Sequence, residues 1–257
     1  MNFTWIPFYK EFAEKLLQFQ TDREKLLKLI YDNRATLLAD YLHDEGGKDD
    51  LFTDIDPFTT FGIFNRGVKK ENRIRSAELF KKLLNISANV PEDFVGIPIL
   101  NNQKSHFFGF RRDREDDDIE NLWRLFVKVV KKENFENEYN KVIRQYIIRV
   151  NITMALFWIR PEDFLAFDST NRAYLKEQYG VILPNKAPEY SEYMSILDDI
   201  KAKMKKGVIK EKTFYELSAN ANNGTSDDVE PTWYDDWVLT WKRRKNIVLY
   251  GAPGTGK

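Results

Sequence analysis

Apolar residues recur at helical spacing through most of the chain. Ile6, Tyr9, Phe12, Ala13, Leu16 and Leu17 share one face, and Leu26, Leu27, Ile30 and Leu37 continue the pattern, which predicts helix over residues 5–44. The paired glycines and charges of "HDEGGKDD" (43–50) end it. "DIDPFTTFGIFNRG" (54–67) shows no helical period, and its Phe, Thr and Ile content predicts an ordered loop or short strand. Helix returns over 71–85, with Ile74, Ala77, Leu79, Phe80, Leu83 and Leu84 as its apolar set.

"VGIPILNNQKSHFFGF" (95–110) is the clearest extended stretch. Two β-rich runs flank Asn101 and Asn102, which predicts a hairpin. "DREDDDIENLWRLFVKVVKK" (113–132) opens with acids and closes with lysines, matching the helix dipole at both ends. Its Ile119, Leu122, Trp123, Phe126, Val129 and Val130 form a single-face stripe. A further helix is expected over 136–149. "VNITMALFWI" (150–159) is apolar throughout and therefore buried in whatever form it takes. Pro161 stops it, and a cap at Asp168 or Ser169 opens a helix running to Gly180.

Another helix is predicted over 188–206. "SANANNGTSDDVEP" (218–231) is small and polar, the best linker in the chain. Beyond it Trp233, Trp237 and Trp241 recur once per helical turn before a terminal strand. The expected class is mainly α (α+β). A helical domain over 1–217 carries a small β-hairpin or short sheet, 218–231 links it, and 232–257 begin a second domain.

Composition narrows the function. Hydrophobic residues make up 42% and aromatics 14%, which argues against disorder despite 31% charged residues. Lys plus Arg equals Asp plus Glu at 40 each, so any anion-binding surface must come from local segregation of charge. The absence of cysteine excludes disulfides and thiolate metal sites. With only His43 and His106, a histidine metal site or triad is poorly supplied, and no metal ligand set is assigned. No signal peptide or membrane-length apolar run is visible, so a soluble cytoplasmic protein is expected and the sequons at Asn85 and Asn151 carry no meaning.

The last residues, "NIVLYGAPGTGK", place G-x-x-x-x-G-K after an apolar strand-like run. Gly251, Ala252, Pro253, Gly254, Thr255, Gly256 and Lys257 form a phosphate-binding loop. Its glycines let backbone N–H groups face phosphates while the lysine reaches the outer ones. The magnesium-binding Ser or Thr, the helix and the acidic strand that complete such a site do not follow, so the loop is expected to be incomplete and inactive in this chain. The stop reads as a cut edge just inside a second domain.

That tail is similar to the phosphate loop of AAA+ ATPases, in particular the McrB-type motors of modification-dependent restriction systems, and also fits MoxR-like branches. The segments "DPFTTFGIFNRG", "GIPILNNQKSHFFGF", "DDIENLWRLF" and "NITMALFWIRPEDFLAFDSTNR" resemble the N-terminal region of some bacterial McrB-like proteins. The resemblance implies that residues 1–220 recognise DNA, a modified base included. It also implies a motor that binds Mg and ATP or GTP, hexamerises and drives a nuclease subunit.

Recognition of a flipped base calls for an aromatic face and an amide or carboxylate, with cations around them for phosphates. Two stretches interleave these groups. One holds Asn65, Arg66, Lys69, Lys70 and Arg73; the other holds Asn101, Asn102, Lys104, Phe107, Phe108, Arg111 and Arg112. A third offers Trp158, Arg160, Asp168 and Arg172. Each also has an ordinary structural reading: a turn, a core face, a helix cap, a buried Arg–Asp pair, a solvated charge run. No catalytic residue is assigned. An assembly module that contacts protein rather than DNA stands as the alternative, and a hydrolase is the least supported class because "DREDDD" fits a helix start better than a metal site.

Overall fold

The computed structural model describes residues 2–102 and 105–222; the phosphate loop, the tryptophan face and Lys104 lie outside the described residues. α1 (Trp5–Leu16) turns Trp5, Phe8, Tyr9, Phe12, Ala13 and Leu16 inward. α2 (Arg23–Asp32) starts at Asp22, whose side chain accepts from the Lys25 N–H, and α3 (Arg34–Leu37) ends at Leu38 with a left-handed φ of 52°. The helix expected over 5–44 is therefore three helices that stop at residue 37.

α4 (Pro57–Gly62) corrects the loop-or-strand reading of this stretch. The Asp56 carboxylate accepts from the Phe58 and Thr59 N–H groups at 2.8 and 3.0 Å, and Pro57 supplies a preset first helical residue. All six residues of α4 are buried, so no polar face exists to reveal a helical period. α5 (Lys70–Leu84) and α6 (Asp118–Lys131) follow as amphipathic helices. α7 (Glu136–Val142) is half the length expected, since the chain turns after Val142.

α8 (Asn151–Ile159) buries every residue but its first. α9 (Ser169–Tyr179) is capped by Asp168 and stopped by Gly180 at a left-handed φ of 64°. α10 (Tyr190–Lys205) leads to α11 (Phe214–Ala221), where Thr213 caps the first turn. α11 carries residues 218–221, assigned above to the linker, into the folded domain, with Ser218 and Ala219 buried.

The architecture is mainly helical, and α4 and α8 lie at its centre. Phe61 of α4 meets the rings of Phe12 at 4.7 Å and Tyr9 at 5.6 Å, and stacks on Trp158 of α8 at 6.4 Å. Among the described residues no helix is long and apolar enough to cross a membrane.

The hairpin predicted over 95–110 is absent: among the described residues there is no sheet, only isolated bridges such as Arg66 with Leu100. Side chains take the backbone groups that a partner strand would have used. The Trp5 and Trp158 indoles donate to the Val95 and Pro98 carbonyls, Ser218 donates to Gly96, and the Phe107 N–H donates to Thr59 Oγ1. Gly96 has φ +74°, and a Cβ there would fall 2.7 Å from the Ala219 backbone nitrogen, so α11 closes directly on this segment.

Asp56→Ala removes the cap of α4 and a buried acceptor for Thr59; the expected loss is about 1–3 kcal/mol of unfolding free energy by urea titration. Burial pushes the Asp56 carboxyl up to about 6 from 3.8 despite its donors. The folded state thus holds this proton more tightly, so its contribution is full below 3.8 and is lost as pH rises toward 6. Asp56→Asn should flatten the decline in stability between those limits, read from melting temperature against pH.

Candidate functional site

Two of the three stretches singled out by sequence meet at one place. After α4 the chain runs through Asn65, Arg66 and Gly67, and the 95–110 segment lies against it. The Leu100 N–H donates to the Asn65 carbonyl at 2.8 Å, and the Asn102 amide donates to the Gly67 carbonyl at 2.7 Å. The turn after α3 completes the site with Leu38 and Tyr41.

Arg66 sits at the centre and is only 7% exposed. Its Nη2 donates to the Leu38 carbonyl at 2.5 Å, its Nη1 makes one long contact to Asn102 Oδ1 at 3.5 Å, and its guanidinium lies 4.3 Å from the Tyr41 ring centroid. Burial lowers its pKa from the ordinary arginine value, while Tyr41 acts in the opposite direction. No carboxylate among the described residues pairs with it. Its neighbour Asn65 faces the interior. There Asn65 Oδ1 accepts from the Tyr9 hydroxyl at 2.6 Å and from Arg73 Nη2 at 3.0 Å, and Arg73 lies over the Phe94 ring at 4.1 Å. Burial pushes the Tyr9 hydroxyl up to about 12.

The remaining candidates divide by burial. Lys69 is exposed just before α5, Lys70 is half-buried in its first turn, and Asn101 is exposed. Phe107 and Phe108 are fully buried, so neither offers a face for a base; Phe107 packs on Phe58 and Trp158, and Phe108 on Phe52. Trp158 is equally enclosed. These three correct the stacking reading, and the reason is that the core consumes their ring faces.

Arg111 and Arg112 are exposed but paired, Arg111 with Asp50 at 2.8 Å and Arg112 with Glu45 at 3.3 Å. Arg160 is not a free cation either: its Nε donates to Asp163 at 2.6 Å and its Nη1 to the Val129 carbonyl. Asp168 caps α9, accepting from the Thr170 N–H, and burial pushes its carboxyl up to about 6. Arg172, half-buried one turn later, lowers that value by its charge. The sequence's Arg–Asp alternative paired Arg160 or Arg172 with Asp168; Arg160 instead pairs with the part-exposed Asp163, five positions before the cap.

Sequence reasoning missed Leu38, Tyr41 and Tyr9. A backbone carbonyl has no signature in composition, and the two tyrosines stand apart from any polar run. His106 is buried, with Nδ1 2.6 Å from the Phe108 carbonyl. Among the described residues no group of three or more His, Cys, Asp or Glu could hold a metal ion.

A family model described as a domain of unknown function, DUF8425, matches residues 5–224. No curated protein and no solved structure matches the chain. The match spans most of the chain, which therefore belongs to the DUF8425 family.

Asn65 is a structural group rather than a base reader. Asn65→Ala leaves the Tyr9 hydroxyl and an Arg73 donor without their buried acceptor, and should cost about 2–4 kcal/mol in chemical denaturation. Arg112→Ala, at an exposed pair, should leave the denaturation midpoint unchanged.

Proposed function

We propose that this DUF8425 domain is a non-catalytic DNA-recognition module, the cytoplasmic N-terminal part of a McrB-like NTPase. The observation that carries the reading is the meeting of the Asn65–Arg66–Gly67 and Leu100–Asn102 segments around a cation without a carboxylate. The exposed Lys69 lies three residues from Arg66, and Arg75 is exposed further along α5. A surface of this kind suits the sugar–phosphate backbone, since phosphate contacts position a duplex without reading its bases. With Phe107, Phe108 and Trp158 in the core, base stacking has no support from those rings. The tail "GAPGTGK" supports attachment to a P-loop motor that would use Mg with ATP or GTP, assemble as a hexamer and drive a nuclease subunit.

A second reading, an assembly module that binds protein, draws on a different observation. Two grooves of about 700 and 390 Å³ flank the outer face of α1, and Lys10 and Glu14 line both. The surface arginines favour this reading too, because Arg111, Arg112, Arg124 and Arg144 each have a carboxylate partner.

Fluorescence anisotropy on unmodified, 5-methylcytosine and N6-methyladenine duplexes separates the two. DNA recognition predicts affinity that falls with salt at a log–log slope of about −0.9 per phosphate contacted. No binding to any duplex at low salt would overturn it in favour of assembly.

A further inference from the structure

Arg66 is held unlike the paired arginines of this domain. Arg111 and Arg114 reach carboxylates at 2.8 and 3.2 Å, and Arg23 and Arg160 are likewise paired with acids. Arg66 is more buried than any of these, yet its partners are the Leu38 carbonyl, the Asn102 amide oxygen and the face of Tyr41, all neutral. A guanidinium stays protonated at neutral pH, and a buried charge without a counter-charge is costly. Cation–π attraction to Tyr41 offsets part of that cost and supplies no net negative charge. Gln103 and Lys104, the neighbours outside the described residues, carry no carboxylate.

Donors at this point also outnumber acceptors. Arg66 Nε has no hydrogen-bond partner, and the buried Tyr41 hydroxyl, which lies beside Ser105 and Arg66, has none of good geometry. The Asn102 amide donates to the Gly67 carbonyl, which leaves its oxygen turned to Arg66. Gly67 adds no side chain, and a Cβ there would press on the Asn102 amide at 3.1 Å, so the glycine lets Asn102 pack closely beside Arg66.

We infer that Arg66, Tyr41 and Asn102 form a binding site for a phosphate-type oxyanion. One oxygen accepts from Arg66 Nε and another from the Tyr41 hydroxyl, and the anion supplies the charge that the protein does not. Charge-assisted bonds of this geometry are the strong ones, and guanidinium suits them better than ammonium. The oxyanion comes from one of two sources, a free phosphate or a nucleic-acid phosphodiester. The inference deepens the DNA-recognition reading at the same site, but it rests on the local geometry and stands if that reading fails.

The test uses the whole 257-residue chain. Thermal unfolding is followed in sodium phosphate against sodium chloride of matched ionic strength, and duplex affinity is measured by anisotropy in the chloride series. Arg66→Met should abolish stabilisation by phosphate, and Tyr41→Phe should weaken it about tenfold, the loss of one good hydrogen bond to an anion. Arg124→Met, an exposed arginine paired with Glu120, should leave it intact. Tyr41→Phe keeps the ring under the guanidinium, so the inference remains testable where Arg66→Met does not fold. Phosphate stabilisation without duplex binding supports the site and sinks DNA recognition. Duplex binding that Tyr41→Phe weakens, without a phosphate effect, assigns the phosphodiester as the source. If neither ligand responds to Tyr41→Phe or Arg66→Met, the inference is overturned.

Discussion

The packing of Phe61 is the constraint on which the rest of the domain depends. Its ring meets Tyr9 and Phe12 from α1, Phe64 beyond α4 and Trp158 from α8, so three elements converge on one side chain. Buried aromatics with polar tips then impose a second requirement, since a hydroxyl or indole N–H inside the core needs an acceptor. Trp158 finds one at the Pro98 carbonyl and Trp5 at Val95, which pins the 95–110 segment to the core without a partner strand. Tyr9 finds one at Asn65, and Asn65 in turn holds Arg73. The loops that carry the candidate site are thus positioned by the polar ends of core rings.

This explains what could be read from the sequence. α6 was legible because it has one dry face, and α9 because Asp168 and Gly180 mark its ends with residues chosen for backbone reasons. α4 was not. A helix buried all round has no polar face to set its period, and two threonines and three aromatic or proline residues in six positions mimic a strand. The extended segment was recognised as extended, but an Asn-Asn turn says nothing about whether the flanking runs bond each other or distant side chains.

The site was half legible for a related reason. Interleaved aromatic, amide and basic residues make up both a ligand pocket and a polar network wrapped in core. Composition cannot separate them, because the separating quantity is exposure. Asn65 and Phe107 went inward. Arg111 and Arg112 stayed outside and met acids from the 44–50 turn, a pairing across more than sixty positions that no local pattern announces. Arg66 kept a cation with no carboxylate beside it, and its setting on Tyr41 and Leu38 comes from a turn inside the stretch whose spacing predicted helix.

Arg66 and Arg73 lie seven positions apart and show two ways of burying a guanidinium. Arg73, 3% exposed, is gripped by an amide oxygen that a tyrosine also shares and is covered by the Phe94 ring. Its charge is dispersed through a network inside the core. Arg66 has a single short bond to a carbonyl, one long contact and a buried Nε without a hydrogen-bond partner. A network of the first kind loses stability when a member is removed, because its donors share one buried acceptor. An arrangement of the second kind leaves binding capacity unspent. In a chain whose formal charges sum to zero, attraction to a polyanion has no long-range field to draw on. It must come from a few cations that the protein has not already neutralised, and the strength of such a contact is set by desolvation at the site rather than by the number of surface lysines.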